Sequence, residues 1–377
     1  MLDVLIAGAG PAGTIAAREL ARAGARVLLV DRETFPRDKL CGDTVNPGAV
    51  QFLATLGLAG GALTAARPLE GMRVTGPGAS VVARYGGAPG VSISRRDLDA
   101  WLLGEAIAAG VKFEPDVTVQ GALTEDAGGE RRVRGLILRN ATGIVTRVPA
   151  LVTIGADGRR SAVARSVGLG SHPRAPRRWA FGAYYADVTG NLAGLGEMHV
   201  RPRWYCGINP LADGRVNVCV VTDRREGADD PAGLILRYLR SDPELAPRFT
   251  HAERVSPVSV LGPLAFDVAT AGSPGLLLAG DAAGFVDPIT GDGLNLAMQG
   301  AVLAAESASE VLQIGDWNGV IARLNQRRAA ALGTKLKFNR AMRVLTSSPT
   351  GVRLAAVGAR LAPAILRRII VEAGDAA

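Results

Sequence analysis

The sequence GAGPAG at residues 8–13 decides the fold of this 377-residue chain. A short apolar run at residues 4–7 precedes it and an alanine-rich segment at residues 14–23 follows it, which predicts a strand, a glycine turn and a helix. The run at residues 25–30 predicts a second buried strand, and Asp31 closes it. Strand, turn, helix, strand and acid follow one another in the order of a dinucleotide-binding unit.

Each glycine of the turn has a physical task. Gly8 permits the tight bend, Gly10 lets backbone N–H groups approach a pyrophosphate, and Gly13 lets helix and strand pack closely. The first helical turn, with Pro11 and Ala12, presents its positive dipole end to the phosphates. A glycine-rich surface turn that binds nothing is the alternative, and the register of the flanking elements favours the binding site.

Two residues at the end of the second predicted strand complete this half of the site. Asp31 lies eighteen residues after Gly13, at a position where an acid can accept hydrogen bonds from ribose hydroxyls. Arg32 follows it directly and is assigned to the same cofactor site. The identity of the dinucleotide depends on motifs further along the chain.

A second group of motifs lies near residue 280. The apolar run at residues 275–279 predicts another strand, and Gly280 and Asp281 follow it directly. The loop beyond them contains Pro288 and Gly291. A resemblance to a known superfamily, which also includes the turn that follows Gly291, assigns these four residues to the cofactor site.

That turn is Gly293-Leu294-Asn295, at the start of a long predicted helix. Here the sequence resembles the flavoprotein superfamily of para-hydroxybenzoate hydroxylase, the flavin-dependent halogenases and the geranylgeranyl reductases. The resemblance implies that Asp281 binds the ribityl chain of FAD and that the turn places N–H groups at the flavin pyrimidine edge. Reduced flavin carries negative charge at that edge, which a helix N-terminus would stabilise.

Two more motifs agree with this resemblance. The sequence GADG at residues 155–158 resembles the superfamily's DG motif and assigns Asp157 to the cofactor. The sequence RRDLD at residues 95–99 resembles its R-x-x-L-D pattern, which implies that Arg95 contacts the cofactor. An ordinary charged helix start is the alternative for the second motif.

The stretch FPRDKLCGD at residues 35–43 resembles the segment that brings a cysteine to the flavin in geranylgeranyl reductases. The resemblance places Cys41 and Gly42 at the cofactor and makes Cys41 a candidate catalytic residue. Lys39 would lower the pKa of its thiol if both side chains face the pocket. A small buried cysteine without a catalytic role is the alternative.

The order of these motifs predicts an α/β fold with a discontinuous, Rossmann-like FAD-binding domain and an inserted, mainly antiparallel substrate-binding sheet. C-terminal helices complete it. We expect the FAD-binding domain at residues 1–70, 95–175 and 262–330, the substrate-binding domain at 71–94 and 176–261, and a C-terminal helical segment at 331–377.

Composition excludes several classes of protein. The net charge is +8, but aromatic residues make up only 5% and the arginines are scattered, so we expect no nucleic-acid partner. Three cysteines without a CxxC spacing predict no metal site and a reducing compartment. With no signal peptide and no spanning segment in the sequence, we expect a cytoplasmic protein.

The motifs conflict over the reaction. The sequence GLNLA at residues 293–297 resembles aromatic hydroxylases, whereas the Cys41 segment resembles geranylgeranyl reductases. Gly207 and Asn209 stand where those reductases carry bulky aromatic residues, which predicts a roomier, more polar pocket. We therefore expect a monooxygenase that acts through a flavin C4a-hydroperoxide on an aromatic or polyketide-like, lipophilic organic substrate.

Two other functions remain open at this stage. One is a flavin-dependent reductase of C=C bonds, and the other is a non-catalytic lipid-binding or escort protein on the same scaffold. No second glycine fingerprint follows a strand, so NAD(P)H is expected as a transient electron donor, or a separate flavin reductase supplies the electrons.

The C-terminal segment from Gly351 carries arginines at seven-residue spacing, at Arg353, Arg360 and Arg367. Apolar residues lie at helical spacing on another face. This pattern predicts peripheral contact with an anionic membrane. A helix packed on the protein is the alternative, and Pro363 would kink any continuous helix.

Overall fold

The structure is a computed structural model, and it describes residues 2–127, 130–175, 177–190, 194–223 and 229–374. The strands of these residues are, in chain order, β1 (Leu2–Ala7), β2 (Val27–Val30), β3 (Thr44–Val45), β4 (Arg67–Leu69), β5 (Gly71–Gly76), β6 (Ala79–Arg84), β7 (Gly90–Ser92), β8 (Lys112–Glu114), β9 (Thr118–Ala127), β10 (Glu130–Arg139), β11 (Val145–Gly155), β12 (Gly170–Ser171), β13 (Trp179–Ala186), β14 (Leu195–Arg201), β15 (Trp204–Pro210), β16 (Val216–Thr222), β17 (Glu253–Arg254), β18 (Ser259–Leu261), β19 (Asp267–Val268), β20 (Gly272–Ser273) and β21 (Leu276–Leu278).

The α-helices alternate with these strands in the first half of the chain and dominate its end. They are α1 (Pro11–Arg22), α2 (Pro47–Thr55), α3 (Arg95–Ala108), α4 (Ala162–Ser166), α5 (Pro231–Ser241), α6 (Gly293–Ile314), α7 (Val320–Ser347), α8 (Pro349–Leu361) and α9 (Pro363–Ala373). Short 3₁₀ turns follow β21 at Gly280–Ala283 and precede α6 at Pro288–Thr290.

A parallel sheet forms the first layer, with the strand order β8-β2-β1-β11-β21. Its strands bury both faces, because alternate residues face opposite sides of a sheet. In β1, Val4 and Ile6 pack against α1, α3 and α6, whereas Leu5 and Ala7 pack against α4 and the hairpin of β9 and β10. Because both faces of this sheet are covered, β1 and β2 need apolar residues at successive positions and not only at alternate ones.

A second large sheet lies over the first layer. The strand order in this sheet is β17-β13-β16-β15-β14-β5-β6, and β18 also pairs with β13. Every pairing is antiparallel except that of β14 with β5. One face packs on α5, and the other points toward the carboxyl edge of the parallel sheet. We call this sheet the roof. It draws its strands from residues 71–84 and 179–261, and the exact domain boundaries stay a prediction.

The predicted fold class is confirmed, with small differences at the ends of elements. The second strand begins at Val27, two residues later than predicted, and the C-terminal segment forms two helices because Pro363 starts a new one. Among the helices of the described residues, none is long and apolar enough to cross a membrane.

The contact of Gly13 with the glycine turn generates a stability prediction. An ideal Cβ on Gly13 would lie 1.7 Å from the Gly8 carbonyl oxygen. We expect Gly13→Ala to lower the free energy of unfolding by about 3 kcal/mol, because α1 must move away from β1. Urea denaturation measures this difference.

Gly104→Ala is the matched control. Gly104 also lies in a helix and is exposed, and apart from its two chain neighbours and the backbone of its own helix no described residue has an atom within 4 Å of its ideal Cβ. We expect this control to be neutral or stabilising by up to about 1 kcal/mol, since alanine is the better helix former. Equal effects of the two substitutions would contradict the packing account.

Candidate functional site

The carboxyl edge of the parallel sheet brings the sequence motifs together. Gly8 follows β1, Asp31 follows β2, Asp157 follows β11 and Gly280 follows β21. In open α/β sheets, ligands bind in the crevice outside the carboxyl ends of the strands, where the strand order reverses. Here β1 runs to β2 on one side and pairs with β11 on the other, so the reversal lies beside the glycine turn.

Two glycines at this edge of the sheet, one in the glycine turn and one after β21, are required by contacts within the protein. Gly8 has a φ of +95°, and its ideal Cβ would lie 2.5 Å from the Ala156 carbonyl oxygen, so the segment before Asp157 packs directly on it. Gly280, with a φ of +59°, approaches α1 closely, because its Cβ would lie 2.7 Å from that of Ala12. The glycine turn, the Asp157 segment and the Gly280 turn are therefore in mutual contact.

Gly10 differs from these glycines. It has an ordinary φ of −74°, and among the described residues beyond its two chain neighbours only an Arg37 guanidinium nitrogen, at 3.9 Å, lies within 4 Å of its ideal Cβ. Neither backbone conformation nor protein packing requires a glycine here. The space in front of Gly10, at the N-terminus of α1, is what a pyrophosphate needs.

Arg37 provides a second indication of an anion. Its Nη2 lies 3.0 Å from Asp99 Oδ2, but its buried Nη1 has no hydrogen-bond partner among the described residues. A buried guanidinium N–H without an acceptor is costly, and a phosphate oxygen would satisfy it. No sequence motif assigns Arg37 to the cofactor, although a basic residue soon after the ribose-binding acid is a usable signal.

Asp31 ties the glycine turn to the end of β2. Its Oδ2 accepts a hydrogen bond from the Ala9 N–H at 2.7 Å, and its Oδ1 accepts one from the Glu33 N–H at 3.0 Å. Each carboxylate oxygen keeps a second lone pair for a ribose hydroxyl. The Arg32 side chain is 73% exposed and pairs with Glu33, and its assignment to the cofactor stays a prediction.

Asp157 follows β11 and contacts the start of α4. Its Oδ2 accepts from the Ala162 N–H at 2.7 Å, whereas its buried Oδ1 has no partner among the described residues. Burial raises the pKa of this carboxyl group, and the hydrogen bond from Ser161 acts in the opposite direction. The unpaired oxygen is an acceptor for a cofactor hydroxyl.

We call the crevice at the carboxyl edge of the parallel sheet, beside Gly10, Asp157 and Asp281, the groove. Asp281 interacts electrostatically with several cations there. Burial raises its pKa, and the charges of Lys39, Arg159 and Arg95 oppose that shift. Lys39 has an exposed surface, yet desolvation by the surrounding protein and the charges of Arg95 and Arg37 lower its pKa to about 8. This concentration of positive charge suits phosphates and a reduced, anionic flavin.

Arg95 is buried at the start of α3. Its Nε and Nη2 each lie 2.7 Å from a carboxylate oxygen of Asp99, one turn along the helix. Ser94 caps this helix by accepting from the Asp97 N–H at 3.1 Å. The bidentate pair fixes the guanidinium beside Cys41 and within electrostatic reach of Asp281.

The start of α6 closes the other end of the groove. Pro288 begins a 3₁₀ turn, Gly291 adopts a left-handed φ of +72°, and α6 begins at Gly293 with Leu294 and Asn295 in its first turn. The superfamily resemblance assigns the flavin pyrimidine edge to this helix N-terminus, and that assignment stays a prediction. Pro288 and Gly291 form the turn that precedes α6 and sets the direction of its axis.

The Asp287 side chain fixes this turn to the roof. Its Oδ1 accepts from the Tyr205 hydroxyl at 2.6 Å, and its Oδ2 lies 2.9 Å from Arg178 Nη1. Asn339 on α7 donates to the Asp287 carbonyl oxygen at 2.9 Å. Sequence motifs missed this network, because its members are distant along the chain.

The Cys41-Gly42-Asp43 loop lies between the groove and the roof. Asn209 on β15 donates to the Gly42 carbonyl oxygen at 2.6 Å, and Asn217 on β16 donates to the Cys41 carbonyl oxygen at 3.0 Å. The Asn209 side chain that replaces a bulky aromatic residue therefore holds this loop. It does not simply widen a polar pocket, as the sequence suggested.

Asp43 is the most constrained residue of the loop. It is fully buried and has a left-handed φ of +53°. Its Oδ2 accepts from the Tyr184 hydroxyl at 2.6 Å and from Asn217 Nδ2 at 2.7 Å, and its Oδ1 accepts from the Arg95 N–H at 3.3 Å. Burial raises its pKa to about 6, although these donors act in the opposite direction.

The thiol of Cys41 differs from the sequence expectation. Burial raises its pKa, and the group that opposes this shift most strongly is Arg95. The expectation that Lys39 lowers the pKa was wrong, because the guanidinium of Arg95 is the cation that faces the sulfur. A raised pKa keeps Cys41 protonated as a neutral thiol, and it also makes that thiol a weaker acid, so the cation of Arg95 beside it must assist any proton transfer.

The residues of the groove fit FAD. Gly10 leaves space for a pyrophosphate, Arg37 has a spare buried donor, and Asp31 and Asp157 have spare acceptors. The glycine turn and the start of α6 supply two helix N-termini. These features together define the class of protein as an FAD-dependent oxidoreductase.

Comparison with known proteins supports this class. A family model described as "FAD binding domain" matches residues 1–234 and 239–332. The chain belongs to this FAD binding domain family. The superfamily resemblance inferred from the motifs is confirmed.

Two relatives are reductases by name. The chain is 34% identical over 319 residues to a menaquinone reductase of Mycolicibacterium smegmatis, which covers 81% of this chain and 75% of the relative. It is 31% identical over 325 residues to a digeranylgeranylglycerophospholipid reductase of Methanosarcina acetivorans, which covers 83% of this chain and 76% of the relative.

Solved structures share the fold. A flavin-dependent brominase superposes with a TM-score of 0.85 at 22% identity and covers 99% of this chain and 93% of its own. A geranylgeranyl bacteriochlorophyll reductase-like protein from Thermoplasma acidophilum has a TM-score of 0.80 at 20% identity and covers 93% and 89%. At these identities the likeness concerns the fold alone.

The open space at Gly10 generates a binding prediction. We expect Gly10→Val to leave the stability of the cofactor-free protein unchanged and to weaken FAD binding at least about tenfold, because the new side chain enters the phosphate space. Flavin fluorescence titration of apoprotein measures the affinity. Normal FAD affinity in this variant would contradict the placement of the pyrophosphate.

The raised pKa of Asp43 generates a pH prediction. Folded Asp43 titrates at about 6 and the unfolded carboxyl near 3.8, so between these values the folded state binds more protons and loses stability as pH rises. Asp43→Asn removes this loss. We expect the unfolding free energy of the natural protein, relative to the variant, to fall by about 3 kcal/mol across that window.

Urea denaturation of both proteins at several pH values measures the difference. Asp267→Asn is the control, since Asp267 is exposed at the start of β19. A constant difference between the natural protein and Asp43→Asn would show that Asp43 does not titrate as proposed.

Proposed function

We propose that this protein is an FAD-dependent reductase that saturates C=C bonds in isoprenoid chains of lipids. The observation that carries the proposal is the position of Cys41, a neutral thiol on a loop clamped between the FAD groove and the roof. The two named relatives support the substrate class, because menaquinone and digeranylgeranylglycerophospholipid both carry unsaturated isoprenoid chains.

The surface beside Cys41 suits such a chain. The roof face toward the groove forms an apolar cluster together with residues of α7 and two loops. Its partly buried members are Leu40, Met198, Val200, Cys219, Leu261, Phe285 and Met342. Partial burial means that these side chains still present apolar surface for a ligand to cover. An isoprenoid chain gains about 25 cal/mol for each Å² of apolar surface that it removes from water.

The chemistry adds a hydride and a proton across the double bond. Reduced FAD, when bound, supplies the hydride. The Cys41 S–H bond breaks and its proton goes to the other alkene carbon, which leaves a thiolate and a saturated C–C bond. Arg95 and the Asp43 N–H lie at the sulfur and stabilise that thiolate, and solvent protons restore the thiol.

Electrons must reach the cofactor from outside the chain. We propose NAD(P)H as a transient donor, with a separate flavin reductase as the other route. The cations of the groove, Lys39 and Arg159 among them, would also attract an anionic donor.

Monooxygenation is the second candidate. The GLNLA turn at the start of α6 favours it, and the roof leaves room at Gly207. Within the part of the chain that the structure describes, and apart from the neighbours of Gly207 in sequence, only Met198 Cε lies within 4 Å of its ideal Cβ, at 3.8 Å. An aromatic or polyketide-like substrate would occupy that space. A non-catalytic escort function is the weakest candidate, because it requires neither the spare donor of Arg37 nor the neutral thiol of Cys41.

Anaerobic reoxidation of the reduced protein tests the proposal. Protein reduced with dithionite is mixed with geranylgeraniol in detergent, and flavin absorbance and product mass are followed. We expect the flavin to reoxidise without oxygen while the product gains a pair of hydrogen atoms. Substrate-stimulated oxygen uptake with an oxygenated phenol, and no alkene reduction, would establish the monooxygenase instead.

The proposed proton donor generates a rate prediction. We expect Cys41→Ala to slow alkene reduction about 100-fold, because a positioned general acid contributes about that much, with FAD content and flavin reduction unchanged. Cys206→Ala is the matched control, since Cys206 is buried on the other face of the roof. An unchanged rate in Cys41→Ala would assign proton donation to another group.

A further inference from the structure

The positive charge of the chain is concentrated at its end. Residues 331–377 contain eight Lys or Arg and two Asp or Glu, so they hold +6 of the total formal charge of +8. The preceding residues are nearly balanced. A basic partner-binding region at one end is the consequence of this asymmetry.

The same part of the chain exposes the largest apolar side chains. Among the described residues, five large apolar side chains are more than 60% exposed, and four of them lie between residues 344 and 365. They are Val344 at 71%, Leu354 at 65%, Leu361 at 81% and Ile365 at 63%. Single exposed apolar residues are ordinary, but a concentration of them beside cations indicates a binding surface.

Helix α8 has apolar residues on two opposite sides. Val352, Ala356 and Ala359 are buried, and they face β5 and β6, where an ideal Cβ on Gly76 would lie 3.3 Å from Ala356 Cβ. Leu354 and Leu361 are seven residues apart and share the opposite, solvent-facing side. Packing of the buried face accounts for the stability of the helix, but it does not account for large apolar side chains at the exposed positions 354 and 361.

Arginines flank that outer face. Arg353 and Arg360 are also seven residues apart, each directly before a leucine, and both are exposed. Neither forms an ion pair with another described residue. Leucines beside unpaired arginines are the pattern of a helix that lies in the interface of a bilayer with anionic headgroups.

The outer face is held firmly relative to the cofactor site. Lys335 Nζ donates to the Ala373 carbonyl oxygen at 2.9 Å, near the end of α9, and lies 3.1 Å from Asp292 at the start of α6. The Gly374 carbonyl oxygen accepts from the Gly48 N–H at 3.1 Å, at the start of α2. The C-terminal helices therefore form part of the same body as the groove.

We propose that the outer face of α8, formed by Leu354, Leu361, Arg353 and Arg360, docks the protein on membranes that contain anionic lipids. The leucines enter the boundary between headgroups and acyl chains, and the arginines contact the lipid phosphates. The proposal is independent of the reductase function, because docking requires no turnover.

Vesicle flotation of the FAD-loaded protein tests it. The vesicles consist of phosphatidylcholine, with or without phosphatidylglycerol. We expect the natural protein to float with the anionic vesicles and to be released by high salt. Leu354→Ser with Leu361→Ser should lower the bound fraction about tenfold or more, because two large apolar side chains are lost from the interface.

Two matched controls separate this surface from general effects. Ile107→Ser with Ile314→Ser removes exposed apolar side chains elsewhere, and Arg139→Gln with Arg147→Gln removes the same charge from the hairpin of β10 and β11. We expect both controls to bind as the natural protein does. Arg353→Gln with Arg360→Gln should abolish the preference for phosphatidylglycerol.

Three results would overturn the proposal. The first is absence of the natural protein from the anionic vesicles, and the second is equal binding by the leucine variant and its control. The third is a natural protein that light scattering shows to be a dimer and that does not bind vesicles, with a leucine variant that is a monomer. The last result would assign the outer face of α8 to a second copy of the chain. Unchanged FAD content in each variant confirms that the fold is intact.

Discussion

The arrangement of the site depends on one buried carboxylate. Asp43 is fully buried in a left-handed conformation, and donors from the roof, Tyr184 and Asn217, and from the start of α3 converge on its two oxygens. A buried carboxylate that lost these donors would be strongly destabilising, so the roof and the parallel sheet are held together at this point. Because Cys41 lies two residues away, the same contact determines where its thiol lies relative to the groove.

The groove itself combines rigid glycine packing with unsatisfied polar groups. Gly8, Gly13 and Gly280 are fixed by protein contacts, whereas Gly10, Arg37 and Asp157 leave space, a donor and an acceptor unused. This difference distinguishes a site shaped for a ligand from a turn that only connects two elements. In the two proposals, the apolar side of the roof receives a lipophilic chain and the outer face of α8 holds the protein at the membrane that contains this chain.

Much of this was predictable from the sequence because local patterns determine it. The strand, glycine turn and helix around residues 8–13 and the start of α6 at Gly293 lie where the sequence predicted them. The residues that hold the Cys41 loop were not predictable, because Asn209, Asn217 and Tyr184 are more than 140 positions away in the chain and carry no motif. From its proximity in sequence, Lys39 was expected to be the cation beside the Cys41 thiol, but the buried Arg95 on α3 is the cation there.

A double-mutant cycle on Asp43 and Tyr184 tests the central contact most directly. Unfolding free energies are measured for Asp43→Asn, Tyr184→Phe and the double variant at about pH 8 and about pH 5, on either side of the Asp43 pKa of about 6. The account predicts a coupling of about 1.5 to 3 kcal/mol at the higher pH, where the hydroxyl donates to a charged group, and a clearly smaller coupling at the lower pH. Additive effects at both pH values would contradict it, since the buried carboxylate would then not join the roof to the cofactor groove.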